Sequence, residues 1–141
     1  GIMEAANRGA IENGGESVGI NIILPSEQHL NKYVRRAQSF HYFFTRKVML
    51  DFAAEAYIFF PGGYGTLDEF FEIVTLIQTH KIRRIPIVLV GKDYWGTLVN
   101  WIYNHVFMQH HAIAKEDMHI FQIADTVEEA YRMLQVIKEK R

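Results

Sequence analysis

Residues 56–66, Ala-Tyr-Ile-Phe-Phe-Pro-Gly-Gly-Tyr-Gly-Thr, admit very few local structures. Tyr57 to Phe60 is a short, wholly apolar run, which marks a strand buried on both faces. Pro61 ends that strand, because proline has no N–H to give to a ladder. Gly62, Gly63 and Gly65 predict a turn of unusual φ angles whose backbone is left bare. From Thr66 onward, Leu67, Phe70, Phe71, Val74 and Ile77 recur at helical spacing. Strand, glycine turn and helix N-terminus together cradle phosphate well, since free N–H groups and the positive end of the helix dipole converge there. No Lys-Ser/Thr follows the glycines, so this is not a Walker A loop, and their spacing does not fit GxGxxG.

The same predicted helix carries Glu69, Glu72, Thr75 and Thr79 on one narrow stripe opposite its apolar side. Two readings fit. The stripe is either the solvated face, with Thr66 and Glu69 as a capping box, or a functional face. In the second reading Glu69 stands one turn above a bound phosphate, about 5 Å along the axis, within reach of the sugar of a nucleoside monophosphate.

The rest of the chain alternates in the same manner. Met3 to Glu12 predicts a helix lined by Ile2, Ala6, Ala10 and Ile11, and Asn13-Gly14-Gly15 closes it as a C-cap. Ser17 to Leu24 predicts a strand stopped by Pro25, followed by a polar loop over residues 26–32 with Glu27, Gln28 and His29. Val34 to Phe40 predicts a second strand, and His41 to Ala54 a helix on which Phe44, Val48 and Phe52 repeat. Arg46 and Lys47 sit near its N-terminal turn, where cations oppose the dipole; an anionic ligand or a plain surface pair accounts for them. Lys81 to Arg84 is a short basic connection. Ile85 to Val90 predicts another buried strand, and Tyr94 to Met108 a helix with Trp95, Leu98, Val99, Ile102 and Val106 inward. His119 to Ile123 predicts the last strand. Asp125-Thr126 leads into a final helix, with Thr126 and Glu129 at capping-box spacing and Val127, Ala130, Leu134 and Ile137 inward. Strands alternating with helices predict an α/β fold, a three-layer sandwich around a mostly parallel sheet, with residues 1–141 as one domain.

Composition narrows the function classes. About half of the 141 residues are hydrophobic and the formal charge is −1, which gives no general reason to expect nucleic acid or an anionic membrane as partner. No cysteine is present, so disulfides and thiolate metal sites are excluded; this is compatible with a cytoplasmic protein. No apolar run approaches membrane-spanning length. His105, His110 and His111 cluster without carboxylates at ligand spacing, HExxH is absent, and no metal is expected. No G-x-S-x-G elbow is present, which argues against a Ser-His-Asp hydrolase.

Pro61-Gly62-Gly63-Tyr64-Gly65-Thr66-Leu67-Asp68-Glu69 is an intact PGGxGTxxE, and Arg46-Lys47 lies on the preceding predicted helix. Together they resemble the LONELY GUY (LOG) family, the cytokinin riboside 5′-monophosphate phosphoribohydrolases long mislabelled as lysine decarboxylases. The resemblance spans most of the chain and implies a Rossmann-like fold, with Arg46 and Glu69 as the catalytic pair. It further implies that the loop Gly62, Gly63, Tyr64, Gly65 and Thr66 binds the 5′-phosphate through backbone N–H groups and the Thr66 hydroxyl. Lys47, Glu72 and Thr75 match positions lining the nucleotide pocket. The implied reaction releases the free base and ribose 5-phosphate without metal or organic cofactor, in a homodimer or larger assembly.

Two departures from the family pattern stand out. The family's first glycine-rich loop, G-G-G-x-x-G-[LI]-M, survives only as Gly1-Ile2-Met3, so the expected first strands and one wall of the site precede this sequence. Short plant-type members read M-H-x-R-K where this chain has Phe43-Phe44-Thr45-Arg46-Lys47. The longer form resembles the larger bacterial branch and places AMP beside cytokinin ribotides as substrate. A non-catalytic nucleotide-binding or carrier module on the same fold is the alternative. A pyridoxal-phosphate decarboxylase would need a Schiff-base lysine and a partner for the pyridine nitrogen; Lys47 is the nearest lysine, and no such partner is evident.

Overall fold

The computed structural model describes residues 1–23 and 30–138, with the side chains of residues 136–138 left aside. The polar loop expected over residues 26–32 lies mostly outside the described residues, as do the expected end of the first strand and the side chain of Ile137. The chain divides into two compact units, Gly1–Ala54 and the part from Glu55 onward. All strand pairs among the described residues are parallel, and helices follow most of the strands, so the Rossmann-like α/β class is the one expected.

In the first unit, α1 (Ile2–Glu12) ends as its sequence predicts, with Gly14 at φ +76° and the Gly15 N–H donating to the Ala10 carbonyl at 2.8 Å. Its half-buried side runs through Asn7, Ala10 and Ile11; Ile2 and Ala6, expected to line it, are exposed. The reason is polar. Asn7 donates to Ser17, the buried hydroxyl of this unit, at 2.8 Å and accepts from Asn31 at 2.9 Å, so this face is anchored by hydrogen bonds and not by Ile2. β1 (Val18–Ile22) and β2 (Arg36–Phe40) pair in parallel, with Val18 opposite Arg36 and Ile22 opposite Phe40. α2 (Phe43–Ala53) follows and packs on β1 and β2.

The second unit holds β3 (Tyr57–Phe59), β4 (Ile87–Val90) and β5 (Gln122–Ala124) in that spatial order. All four residues of β4 are buried, as its unbroken apolar run predicts for a central strand. α3 (Tyr64–Gln78) buries Phe70, Ile73 and Ile77. Phe70 lies 5.7, 5.4 and 5.2 Å, ring to ring, from Phe59, Trp95 and Phe121, an aromatic centre that joins α3 to β3 and α4 (Lys92–Trp101). Phe71, expected inward, is exposed, and Ile73 takes the inward position instead.

Further differences from the sequence reading are local. The helix expected over 94–108 begins at Lys92 and continues from Ile102 to Gln109 as a π-helix, keeping Ile102 buried on the expected side. Lys115–His119 is a 3₁₀ turn, so β5 starts at Gln122 and not at His119. α5 (Val127–Lys138) packs Ala130, Met133 and Leu134 against Val88, Val90 and Ala124, but Val127 in its first turn is exposed. Its cap uses the predicted pair, with the return bond reaching one residue before Thr126. The Glu129 N–H donates to Thr126 Oγ1 at 3.2 Å, and Glu129 Oε2 accepts from the Asp125 N–H at 2.8 Å.

Candidate active site

β3 delivers the chain to Pro61, and α3 begins at Tyr64 with Gly63 as its N-cap residue. The helix therefore starts two residues before Thr66, the expected start, and Thr66 with Glu69 does not form its capping box. None of the three loop glycines takes a positive φ, contrary to expectation; among the described glycines only Gly14 and Gly91 do. The need for glycine here is one of space. A Cβ on Gly62 would stand 2.1 Å from Thr66 Oγ1 and 2.8 Å from Thr66 Cβ, and no rotation of the Thr66 side chain relieves the second contact. A Cβ on Gly63 or Gly65 would meet nothing within 4 Å, so these two leave bare backbone facing open space.

The carbonyl of Gly63 accepts from the N–H groups of Thr66 at 3.1 Å and Leu67 at 3.2 Å. Helix geometry offers no carbonyl beneath the first-turn N–H groups of Tyr64 and Gly65, which stand at the positive end of a 15-residue helix. The Tyr64 side chain is 93 % exposed, so what this residue brings to the loop is its backbone. An anion with several acceptor oxygens matches such a helix end.

Farther along α3, Glu69 and Glu72 are half-buried, whereas Thr75 and Thr79 are exposed. Glu69 lies five residues beyond Tyr64, roughly 7 Å along the axis. Thr75 donates its hydroxyl proton to the Phe71 carbonyl at 2.7 Å, which leaves its oxygen as an acceptor. In the first unit, Arg46 and Lys47 are half-buried on α2, and Arg46 Nε donates to the Ile20 carbonyl on β1 at 3.0 Å. That bond fixes the guanidinium against the strand.

Two surface concavities lie apart from these residues. One, of about 260 Å³, is lined by Arg84, Ile87, His119 and Gln122 among others. The second, of about 390 Å³, lies between Ile11, Gly14, Glu16 and Arg35. Neither contains a residue of the glycine loop or the α3 stripe. No group of three His, Asp or Glu residues able to hold a metal occurs among the described residues, and no described helix is long and apolar enough to cross a membrane.

From the sequence, Tyr94 is only the first residue of a predicted helix and carries no assigned role. In the structure its hydroxyl donates to the Gly62 carbonyl at 2.7 Å. A signal for this was present: neighbouring parallel strands bring their C-terminal turns side by side, and Tyr94 follows the glycine that ends β4.

Comparison with known proteins connects these features to a family. Residues 3–134 match the model of the family described as "Possible lysine decarboxylase". The chain belongs to this family, the LOG family. A probable cytokinin riboside 5′-monophosphate phosphoribohydrolase (LOGL5) of Oryza sativa subsp. japonica is 35% identical over 108 residues, covering 72% of this chain and 42% of that protein. The cytokinin riboside 5′-monophosphate phosphoribohydrolase of Rhodococcoides fascians is 26% identical over 106 residues, covering 72% of this chain and 52% of the relative. LOG7 of Arabidopsis thaliana, of the same named activity, is 41% identical over 58 residues, 40% of this chain and 26% of the relative. This LOG-family chain thus spans about half the length of the first two relatives.

Proposed function

We propose that this LOG-family protein hydrolyses the N-glycosidic bond of a nucleoside 5′-monophosphate, AMP or a cytokinin riboside monophosphate, to free base and ribose 5-phosphate. One observation carries the reading: a bare glycine loop opens onto the N-terminus of α3, and the same helix holds the half-buried carboxylate of Glu69 roughly 7 Å farther on. That separation suits a ligand with phosphate at one end and a sugar carbon at the other. The names of the relatives support the same chemistry.

In this reading the dianionic 5′-phosphate sits on the N–H groups at Gly63 to Gly65, aided by the Thr66 hydroxyl and the helix dipole. As the bond from C1′ to the base nitrogen breaks, its electron pair leaves with the base and positive charge spreads over C1′ and the ring oxygen. The Glu69 carboxylate stabilises that charge and orients the attacking water, whose hydroxyl ends on C1′ while its proton, passed to solvent, balances the one that the departing base takes up on its nitrogen. Arg46, held by its Nε bond to Ile20, presents a permanently charged fork to phosphate or ribose oxygens or to the leaving base. Lys47, Glu72 and Thr75 line the nucleotide pocket. Phosphate binding remote from the bond holds C1′ in place for attack. In this reading residues 1–141 serve as a single nucleotide-binding domain, and the protein works as a homodimer or larger assembly.

The test is chromatographic. The full-length protein is incubated with AMP, GMP, CMP and isopentenyl-AMP, and free base is measured. Release of adenine or isopentenyladenine that disappears in Arg46→Ala is the expected result and ranks the substrates. Binding of AMP with no base released from any of the four would replace the enzyme by a non-catalytic nucleotide carrier.

A further inference from the structure

The glycine loop is gripped from the side by the turn that follows the neighbouring strand. β3 and β4 are paired with Phe59 opposite Leu89, and the same register carried two residues on brings Pro61 beside Gly91. Gly91 has φ +104°, and a Cβ there would lie 3.4 Å from Pro61 Cγ, so the two turns are in close contact. α4 starts from this turn and is fixed on its other side, where Asp125 Oδ1 accepts from the Lys92 N–H at 3.3 Å and the Gly91 N–H donates to the Ala124 carbonyl at 2.9 Å. Its Tyr94 ring packs edge-on against Trp95, fully buried, at 4.9 Å. From that rigid base the Tyr94 hydroxyl reaches the Gly62 carbonyl at 2.7 Å.

We infer that Tyr94 is a positioning residue for the phosphate loop. The peptide between Gly62 and Gly63 is planar and trans, so its carbonyl and its N–H point in opposite directions. Holding the Gly62 carbonyl toward Tyr94 therefore turns the Gly63 N–H away from α4. Neither glycine has a side chain to restrict rotation of this peptide, although Thr66 stands close beside Gly62. Tyr94 supplies the missing restraint, so one phosphate-facing donor is aimed before the ligand arrives. The inference rests on the reading that the loop takes the 5′-phosphate, and it names a residue that never touches substrate.

Tyr94→Phe removes the hydroxyl and keeps the ring on Trp95. Binding of ribose 5-phosphate and of adenine to the full-length wild-type and variant proteins is measured by calorimetry, and the kinetics of AMP cleavage alongside. Loss of one neutral hydrogen bond should weaken ribose 5-phosphate by about three- to tenfold and leave adenine unchanged. KM for AMP should rise by the same factor with kcat nearly constant, the pattern of a lost uniform contact. Equal affinity of both proteins for ribose 5-phosphate would overturn the inference, as would a matching loss for adenine, which marks a general structural defect. No binding of ribose 5-phosphate by the wild type would remove both the loop's role and that of Tyr94. Binding without base release would end the hydrolase reading alone, and the affinity ratio would still decide Tyr94. Gly62→Ala, whose Cβ displaces the loop against Thr66, supplies the reference lesion and should weaken ribose 5-phosphate more than Tyr94→Phe does. The reverse order would likewise overturn the inference.

Discussion

α2 and α3 carry the same kind of periodic apolar signal and meet opposite fates. On α3, Phe70, Ile73 and Ile77 are buried, with the Phe70 ring against Phe59 of β3 and Trp95 of α4. On α2, the stripe Phe44, Val48 and Phe52 is 66 %, 60 % and 91 % exposed. The half-buried residues of α2 are instead Arg46, Lys47, Leu50 and Asp51, with Arg46 bonded to the backbone of β1. Helical period reveals that a face is apolar; which neighbour covers that face is decided elsewhere in the molecule. α3 supports the core with one side and offers carboxylates with the other. α2 holds its charges half-buried and leaves its apolar stripe uncovered, a surface suited to the second copy that the proposed assembly supplies.

The most direct way to break this comparison is to truncate one aromatic on each helix. Phe70→Ala should cost about 3–5 kcal/mol, because it empties the centre of a packed aromatic cluster. Phe52→Ala should change the stability of the isolated protomer by no more than about 0.5 kcal/mol. Urea denaturation of dilute protein measures both, and comparable losses would mean that α2 is as deeply packed as α3. On the opposite side of α3, Glu69→Gln should lower kcat by about 10²–10³-fold while the urea midpoint and the affinity for ribose 5-phosphate hold. Near-full turnover by that variant would reduce Glu69 to a solvated helix residue.

The contrast also marks how far the sequence could be read. The strand–loop–helix unit from Tyr57 to Gln78 was legible in outline because proline and glycine punctuate it and its strand is continuously apolar, although Ile58 is exposed where the apolar run predicted burial on both faces. The central strand β4 and the cap of α5 were legible for similarly local reasons. What stayed hidden depends on partners distant in sequence. Ile2 and Ala6 looked like a buried face until Asn7 claimed that side through Ser17 and Asn31. Gly62 looked like a residue needed for its φ angle, but the Thr66 side chain is what excludes a Cβ there. The glycine loop itself is read from its own residues, whereas Tyr94, whose hydroxyl bonds to the Gly62 carbonyl, lies 32 positions away. The family resemblance gave roles to Arg46 and Glu69 that neither spacing nor burial of single residues could assign.

A smaller effect sharpens the role of the α2 stripe. Phe52→Glu places a charge at its most exposed apolar position and should leave the protomer folded. If the stripe is where two copies meet, light scattering behind size exclusion should show the assembly dissociating at concentrations where wild type stays intact, since a buried unpaired carboxylate is strongly unfavourable. An unchanged assembly would assign the contact to another face, and the comparison with α3 would then rest on burial alone.

The smallest expected change in stability has the most informative sign. α5 has a side-chain cap in Thr126, whereas α3 begins at a glycine that has none to give. The backbone of Gly63, at φ −94° and ψ −158°, is extended and open to any residue, and a Cβ there meets no neighbour. Gly63→Asp therefore fits without strain, and its carboxylate can take the first-turn N–H groups as an internal cap. Capping and the helix dipole together should stabilise the fold by about 0.5 kcal/mol. The same carboxylate would occupy and repel the place of the 5′-phosphate, so ribose 5-phosphate should no longer raise the melting temperature as it should for wild type by mass action. A natural helix start that is improved for stability by an acidic cap, and loses its ligand in the same step, is one kept uncapped for an anion. If Gly63→Asp instead destabilised the protein, or bound ribose 5-phosphate as tightly as wild type, the bare start of α3 would be a matter of chain packing and the phosphate would have to sit elsewhere.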